Sequence, residues 1–391
     1  MDRADFAADL VRRRAAAGLS LADLARGAHL HRGYAGNVEH AKRWPTETVA
    51  RALDTALHAD GALLAAWEAA NQAPHVRTTN GQPTELLELA ARAEASDVSW
   101  TTLNLLDASV EEMARAYTRR PPAELLHSVR TGARQVGRLL DGRATLAQRR
   151  RLLTAAGWLA LLAATLHVDL GQGRAAGAAR NVAGSLGRET EHDEIGAWTV
   201  EVDTWTALVD QDWPRAAELA ATGEAVAPIG SPVAAQLAMQ SARTAARLGD
   251  SQGMRAALHR SATAADRQSR DRPSDHHFQF DASKRDLYTG TSLAWLGDPA
   301  AEDYARHSAA RYESGDQPRR LATAHLDLGL VLARLGRPDE AANFGVIAIV
   351  SKQLVPSNAW RADELVAAVS EYRGVPEVEE LRELAAGGGR G

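Results

Sequence analysis

The chain has 391 residues, 45% of them hydrophobic, and a formal net charge of −5. That length exceeds one ordinary hydrophobic core, so two or more folding units are expected, and near-average Gly and Pro content argues against a disordered chain. The absence of cysteine excludes a disulfide framework and thiolate metal sites and fits a reducing cytoplasm.

In chain order, the acidic start Met1-Asp2-Arg3-Ala4-Asp5 lacks the apolar stretch of a signal peptide. Phe6, Leu10 and Val11 have helical spacing over residues 4–17, and Gly18 ends that helix. Ser20 with Asp23 reads as a capping-box pair at the start of a second helix, which buries Leu21, Leu24 and Ala25. A turn at Gly27–Leu30 and a helix from about His31 to His40 follow. Pro45 opens a helix at about 46–57 with Val49, Leu53 and Leu57 inward, and residues 60–71 give a fifth with Leu63, Leu64 and Trp67. Two short helices joined by a tight turn and followed by a basic turn have the layout of a helix-turn-helix. Residues 1–75 hold nine Lys/Arg and nine Asp/Glu. Distribution therefore matters more than net charge, and Arg12, Arg13, Arg14, Arg32, Lys42 and Arg43 cluster where phosphate is met.

Residues 72–83, polar with two prolines and a glycine, read as a linker between a domain at 1–71 and a second at 84–391. Beyond it every segment reads as helical. Turns at Leu170-Gly171, Asp210-Gln211, Leu248-Gly249, Leu296-Gly297 and Leu335-Gly336 recur at intervals of 40, 38, 48 and 39 residues, each followed by an Ala-Ala pair. Small residues there let two helices approach closely, as in a helical-repeat solenoid. The long interval marks an insertion near 267–281. The apolar run Ala155–Leu166 is too short to span a bilayer and reads as a buried core helix.

Residues 6–57 resemble the Cro/repressor-type (xenobiotic-response-element) helix-turn-helix, whose pattern positions are met by Leu21, Leu24, Ala25, Arg32, Val38, Glu39 and Pro45. Leu139–Arg143 with Gln148–Arg150, and Tyr288–Gly290 with Trp295–Pro299, resemble the tetratricopeptide-like half of actinobacterial regulators of this architecture. The resemblance implies an all-α chain: a five-helix helix-turn-helix domain followed by a tetratricopeptide-like α-solenoid. It places His31, Arg32, Gly33, Tyr34 and Asn37 on the recognition helix. Arg32 and Asn37 carry side chains suited to guanine and adenine edges. Ser20, Arg14, Lys42 and Arg43 would hold phosphates, and Glu39 would be structural. The sequence departs from the pattern at His31, where a Ser would cap the helix, at Gly33 and Gly36, which weaken it, at Ala35, where a larger apolar residue is usual, and at Ala41, which stands where a glycine is usual.

Trp198, Val202, Trp205 and Val209 share one helical face, which reads as core or as the wall of a groove that grips a ligand or peptide. Trp158, Trp295 and Tyr288 are further candidates. Phe278 and Phe280 either tuck the insertion into the solenoid or line a ligand site. Asp275, His276 and His277 offer metal-ligand chemistry without an evident third ligand position, so no metal or cofactor is expected. Gly171–Gly177 lacks both the spacing and the preceding strand of a dinucleotide loop. No hydrolase, kinase or metalloprotease motif is present, and an enzyme is not expected. The expectation is a cytoplasmic, homodimeric regulator that binds double-stranded DNA, takes a small-molecule, peptide or protein effector and has no membrane partner. A protein-interaction scaffold with a vestigial helix-turn-helix is the alternative.

Overall fold

The structure, a computed structural model, describes residues 3–72, 84–268 and 276–388. The described residues are all-helical and divide into two compact units, Met1–Glu85 and Leu86–Gly391. Apart from Gln72, the expected linker lies outside the described residues, as does Asp275.

The smaller unit comprises α1 (Arg3–Ala16), α2 (Leu21–Gly27), α3 (Arg32–Glu39), α4 (Glu47–Ala56) and α5 (Ala62–Gln72). Phe6, Leu10, Leu24, Val38, Leu53, Leu57 and Leu63 form one buried cluster. Each helix shorter than about a dozen residues is unstable alone, so this shared core holds them. Val11, expected inside, is exposed, because α1 turns only its Phe6–Leu10 stripe inward. The Ser20–Asp23 capping box forms in full. Asp54 accepts from the backbone N–H of Gly61, Leu63 and Leu64 at 2.8, 2.8 and 3.2 Å and thereby caps α5.

The larger unit starts with α6 (Thr84–Glu94), α7 (Trp100–Ala116) and α8 (Pro122–Asp141). Five helical hairpins follow: α9 (Leu146–Asp169) with α10 (Gly173–Glu189), α11 (Asp193–Val209) with α12 (Trp213–Val226), α13 (Pro232–Arg247) with α14 (Ser251–Asp266), α15 (Ala282–Leu296) with α16 (Ala301–Glu313), and α17 (Pro318–Arg334) with α18 (Pro338–Val350). A 3-10 turn (Pro356–Asn358), α19 (Ala359–Ala368) and α20 (Pro376–Gly388) complete it. All five repeated turns pass through the left-handed region: Gly171, Gln211, Gly249, Gly297 and Gly336 have φ between 60° and 76°. In each, the next residue donates its N–H five residues back, as Gln172 does to the His167 carbonyl at 2.8 Å and Arg337 to Leu332 at 3.0 Å. That is the Schellman closure of a helix end. The alanines after each turn, including Ala176, Ala216, Ala257, Ala301 and Ala342, are buried where paired helices meet.

α9 is 24 residues long and by length and composition apolar enough to cross a membrane, which corrects the expectation drawn from its shorter apolar run. Two thirds of its most apolar stretch (67%) is buried inside the unit, where Leu152, Leu159, Leu161 and Leu162 share a core with α7, α8 and α11.

Candidate functional site

In the smaller unit, α2 and α3 cross closely: a Cβ on Gly36 would stand 3.3 Å from the Leu21 side chain. Gly36 therefore serves the approach of the two helices and is more than a weakness in α3. His31 does cap the helix, since its Nδ1 accepts from the Gly33 N–H at 3.2 Å. This corrects the expectation that a cap was lost. Ala35 and Val38 are buried on the inner face of α3. His31, Arg32, Gly33 and Asn37 are exposed, with Lys42 and Arg43 on the loop that follows. Tyr34 is half-buried and carries the Arg43 guanidinium 4.6 Å above its ring.

Several acids of this unit are engaged elsewhere. Asp9 pairs with Arg12 and Arg13, Asp23 with Arg26, and Glu47 with Arg51. Arg14 donates to both carboxylate oxygens of buried Glu39, from Nε at 2.5 Å and Nη2 at 3.1 Å, and to the Leu19 carbonyl at 2.9 Å. These bonds commit the guanidinium to clasping α1 to α3. Ser20 Oγ is similarly engaged with Asp23. Arg32, Lys42 and Arg43 form no ion pair among the described residues, so a neutral unit presents a locally cationic edge beside the exposed face of α3.

Residues 5–67 match the family model described as a helix-turn-helix domain. The N-terminal unit is a helix-turn-helix domain. That match supports a DNA-binding regulator. A comparison with curated proteins returns no match.

The larger unit has a cavity walled by the first helices of its hairpins, with an empty volume of about 830 Å³ including its open mouth. Trp198, Glu201 and Trp205 come from α11, Gln236, Gln240 and Arg243 from α13, Lys284 and Tyr288 from α15, and Arg319, Arg320 and Thr323 from α17. Tyr117, Asp169, His277, Asn358 and Arg361 complete the lining. Two ends of the hairpin array meet here: Arg319 pairs with Asp169 and donates to the Tyr117 carbonyl at 2.6 Å, and Ser357 Oγ donates to Asp169 at 3.0 Å. Arg361 pairs with Asp327, which also accepts from Thr291.

A second network crosses the cavity wall. Arg243 Nη1 donates to Gln240 Oε1 at 2.8 Å, and the Gln240 and Gln236 amides donate to Glu201 Oε1 at 2.7 and 2.9 Å. The Arg243 guanidinium lies 4.8 Å over the Tyr288 ring. Lys284 Nζ donates to the His277 and Gln279 carbonyls at 2.6 and 2.8 Å, tying the insertion to α15. Burial, and then the charge of Arg320, lower the Lys284 pKa to about 7, against the pull of Asp281 and Glu201. Burial and the nearby Lys284 charge likewise push the His277 imidazole well below its usual range.

The expected ligand-side aromatics separate in space. Trp198, Trp205 and Tyr288 line the cavity. Trp158 and Phe278 lie in contact in a neighbouring depression with His276, their rings 4.9 Å apart. Phe280 is buried in the core with Met239 and Leu287. Trp295 stands behind the wall, with Arg247 3.9 Å from its ring. Both phenylalanines thus pack the insertion against the helices. Among the described residues, no three His, Asp or Glu side chains are grouped to hold a metal ion. Sequence reading missed the charged lining: Arg243, Lys284, Arg319, Arg320 and Arg361. The available signal was basic residues on otherwise apolar helix faces, and Lys284 as one of only three lysines in the chain.

Proposed function

We propose that the protein is a transcription regulator of the xenobiotic-response-element type, in which the helix-turn-helix domain reads operator DNA and a tetratricopeptide-like domain takes an effector. The observation that carries this reading is the exposed face of α3, with Arg32 and Asn37 flanked by Lys42 and Arg43, which form no ion pair among the described residues, and backed by a closed core. In this reading α3 enters the major groove, Arg32 and Asn37 meet base edges, and Lys42 and Arg43 meet phosphates. The protein acts in the cytoplasm as a homodimer on two half-sites. The effector biases a conformational equilibrium that sets how the two heads address DNA.

DNA-binding anisotropy at about 150 mM salt tests it, comparing DNA upstream of the protein's own gene with scrambled DNA. A regulator binds its site about 10³-fold or more tighter than scrambled DNA. Arg32→Ala is expected to cost about 1–3 kcal/mol on that site and little on scrambled DNA. Weak, sequence-blind binding lost by about 0.2 M salt would instead mark a scaffold with a vestigial helix-turn-helix.

A further inference from the structure

The cavity lining carries more cations than its acids neutralise. Five cations, Arg243, Lys284, Arg319, Arg320 and Arg361, face two acids, Asp169 and Glu201. Asp327 and Asp281 act from behind, Asp327 paired with Arg361 and Asp281 through its field on Arg320 and Lys284. Asp169 is taken by Arg319 and Ser357, and Glu201 by two glutamine amides. Arg243 and Arg320 are more than nine-tenths buried, yet among the described residues Arg243 Nε and Arg320 Nη1 have no hydrogen-bond partner and neither residue forms an ion pair. Burying a guanidinium without a carboxylate is costly unless something else supplies the negative charge. Trp198, Trp205 and Tyr288 stand beside these groups as flat apolar walls.

We infer that this cavity binds a small organic anion, a carboxylate or phosphate carried on an aromatic body, with Arg243 and Arg320 holding the anionic group and the tryptophans stacking on the ring. Planar guanidinium forks match both oxyanions. The inference rests on the effector reading above and names the effector's chemical class.

The test titrates the full chain with benzoate and with phenyl phosphate, read by tryptophan fluorescence and calorimetry at constant ionic strength. Benzyl alcohol is the neutral control, and sodium chloride alone controls for salt. At least one anion is expected to bind with defined stoichiometry while benzyl alcohol does not, and the stronger of the two identifies the oxyanion. Arg320→Gln and Arg243→Gln are each expected to weaken that binding at least tenfold. Each should also leave the ligand-free protein as stable as the parent or more so, because an unpaired buried charge is gone. Equal binding of benzyl alcohol, no binding of either anion, or an affinity unchanged in both variants overturns the inference. Loss of fold in both variants also overturns it, because the arginines would then be scaffold. The same preparations are assayed for operator binding. Specific DNA binding that a neutral compound or peptide releases would keep the effector reading and sink the anion.

Discussion

Ala41 ends α3 at φ 54°, in the left-handed region that a side chain resists. Its N–H still donates to the Val38 carbonyl at 3.1 Å, and the next residue, Lys42, donates to Asn37 at 2.8 Å. The closure is therefore that of a glycine-ended helix made with an alanine. Ala41→Gly is expected to raise the stability of the helix-turn-helix domain by up to about 1 kcal/mol, less the entropy glycine adds to the unfolded chain. Thermal unfolding of the variant checks the sign. His31 shows the opposite case: an unusual cap residue that satisfies the helix start through its ring nitrogen. Arg14 and Glu39 show why a formal charge count misleads, since the pair lies within the fold and contributes nothing to the field outside it.

At the scale of the element, the hairpins depend on small residues where helices touch. A Cβ on Gly329 in α17 would stand 2.9 Å from the Ala341 carbonyl of α18 and 2.8 Å from the Leu365 side chain. The carbonyl belongs to a helix backbone and does not yield as a side-chain tip does. Gly329→Ala is expected to destabilise the larger unit by about 1–3 kcal/mol through overpacking, measured as a lowered urea midpoint with unchanged slope. Gly173, whose added Cβ would meet nothing within 4 Å, is the matched control and should tolerate alanine. The cost at Gly329 comes from what faces it, which no propensity scale contains.

At the scale of the whole molecule, Lys284 couples protonation to stability. Its pKa is about 7 when folded, against the ordinary 10.5 of an exposed lysine. Below pH 7 both states hold the proton and stability does not change on its account. Between about 7 and 10.5 the unfolded chain holds more protons, so the Lys284 contribution makes the folded state more stable as pH rises. The groups facing it are Arg320, Asp281, Glu201 and His277. Stability measured at pH 6.5, 8 and 9 should rise in the parent relative to Lys284→Met, which lacks the titrating amine. A difference that stays flat or falls with pH contradicts the assignment. An anion in the cavity would draw the proton back onto Lys284, so its affinity should weaken above pH 7 in the parent and less so in the variant.

The sequence by itself determined the elements. Apolar spacing at Phe6, Leu10, Leu24, Leu53 and Leu63 specified the five helices and inner faces of the first unit, since each short helix had one way to hide its stripe. The recurring Leu-Gly turns and Ala-Ala pairs specified the hairpins, because left-handed closure and close helix approach each select a small set of residues. The DNA-facing residues of α3 were an expectation of the resemblance to the Cro/repressor-type helix-turn-helix rather than of the periodicity. The cavity did not. Asp169, Arg319 and Ser357 meet across 188 residues of chain, and Arg243, Lys284 and Arg320 come from three different hairpins. An arginine on an apolar helix face has the same local signature whether it reaches solvent or a buried carboxylate. Only the packing of hairpin on hairpin decided which guanidiniums found partners and which were left facing one space, because charge pairing is set by distance in three dimensions.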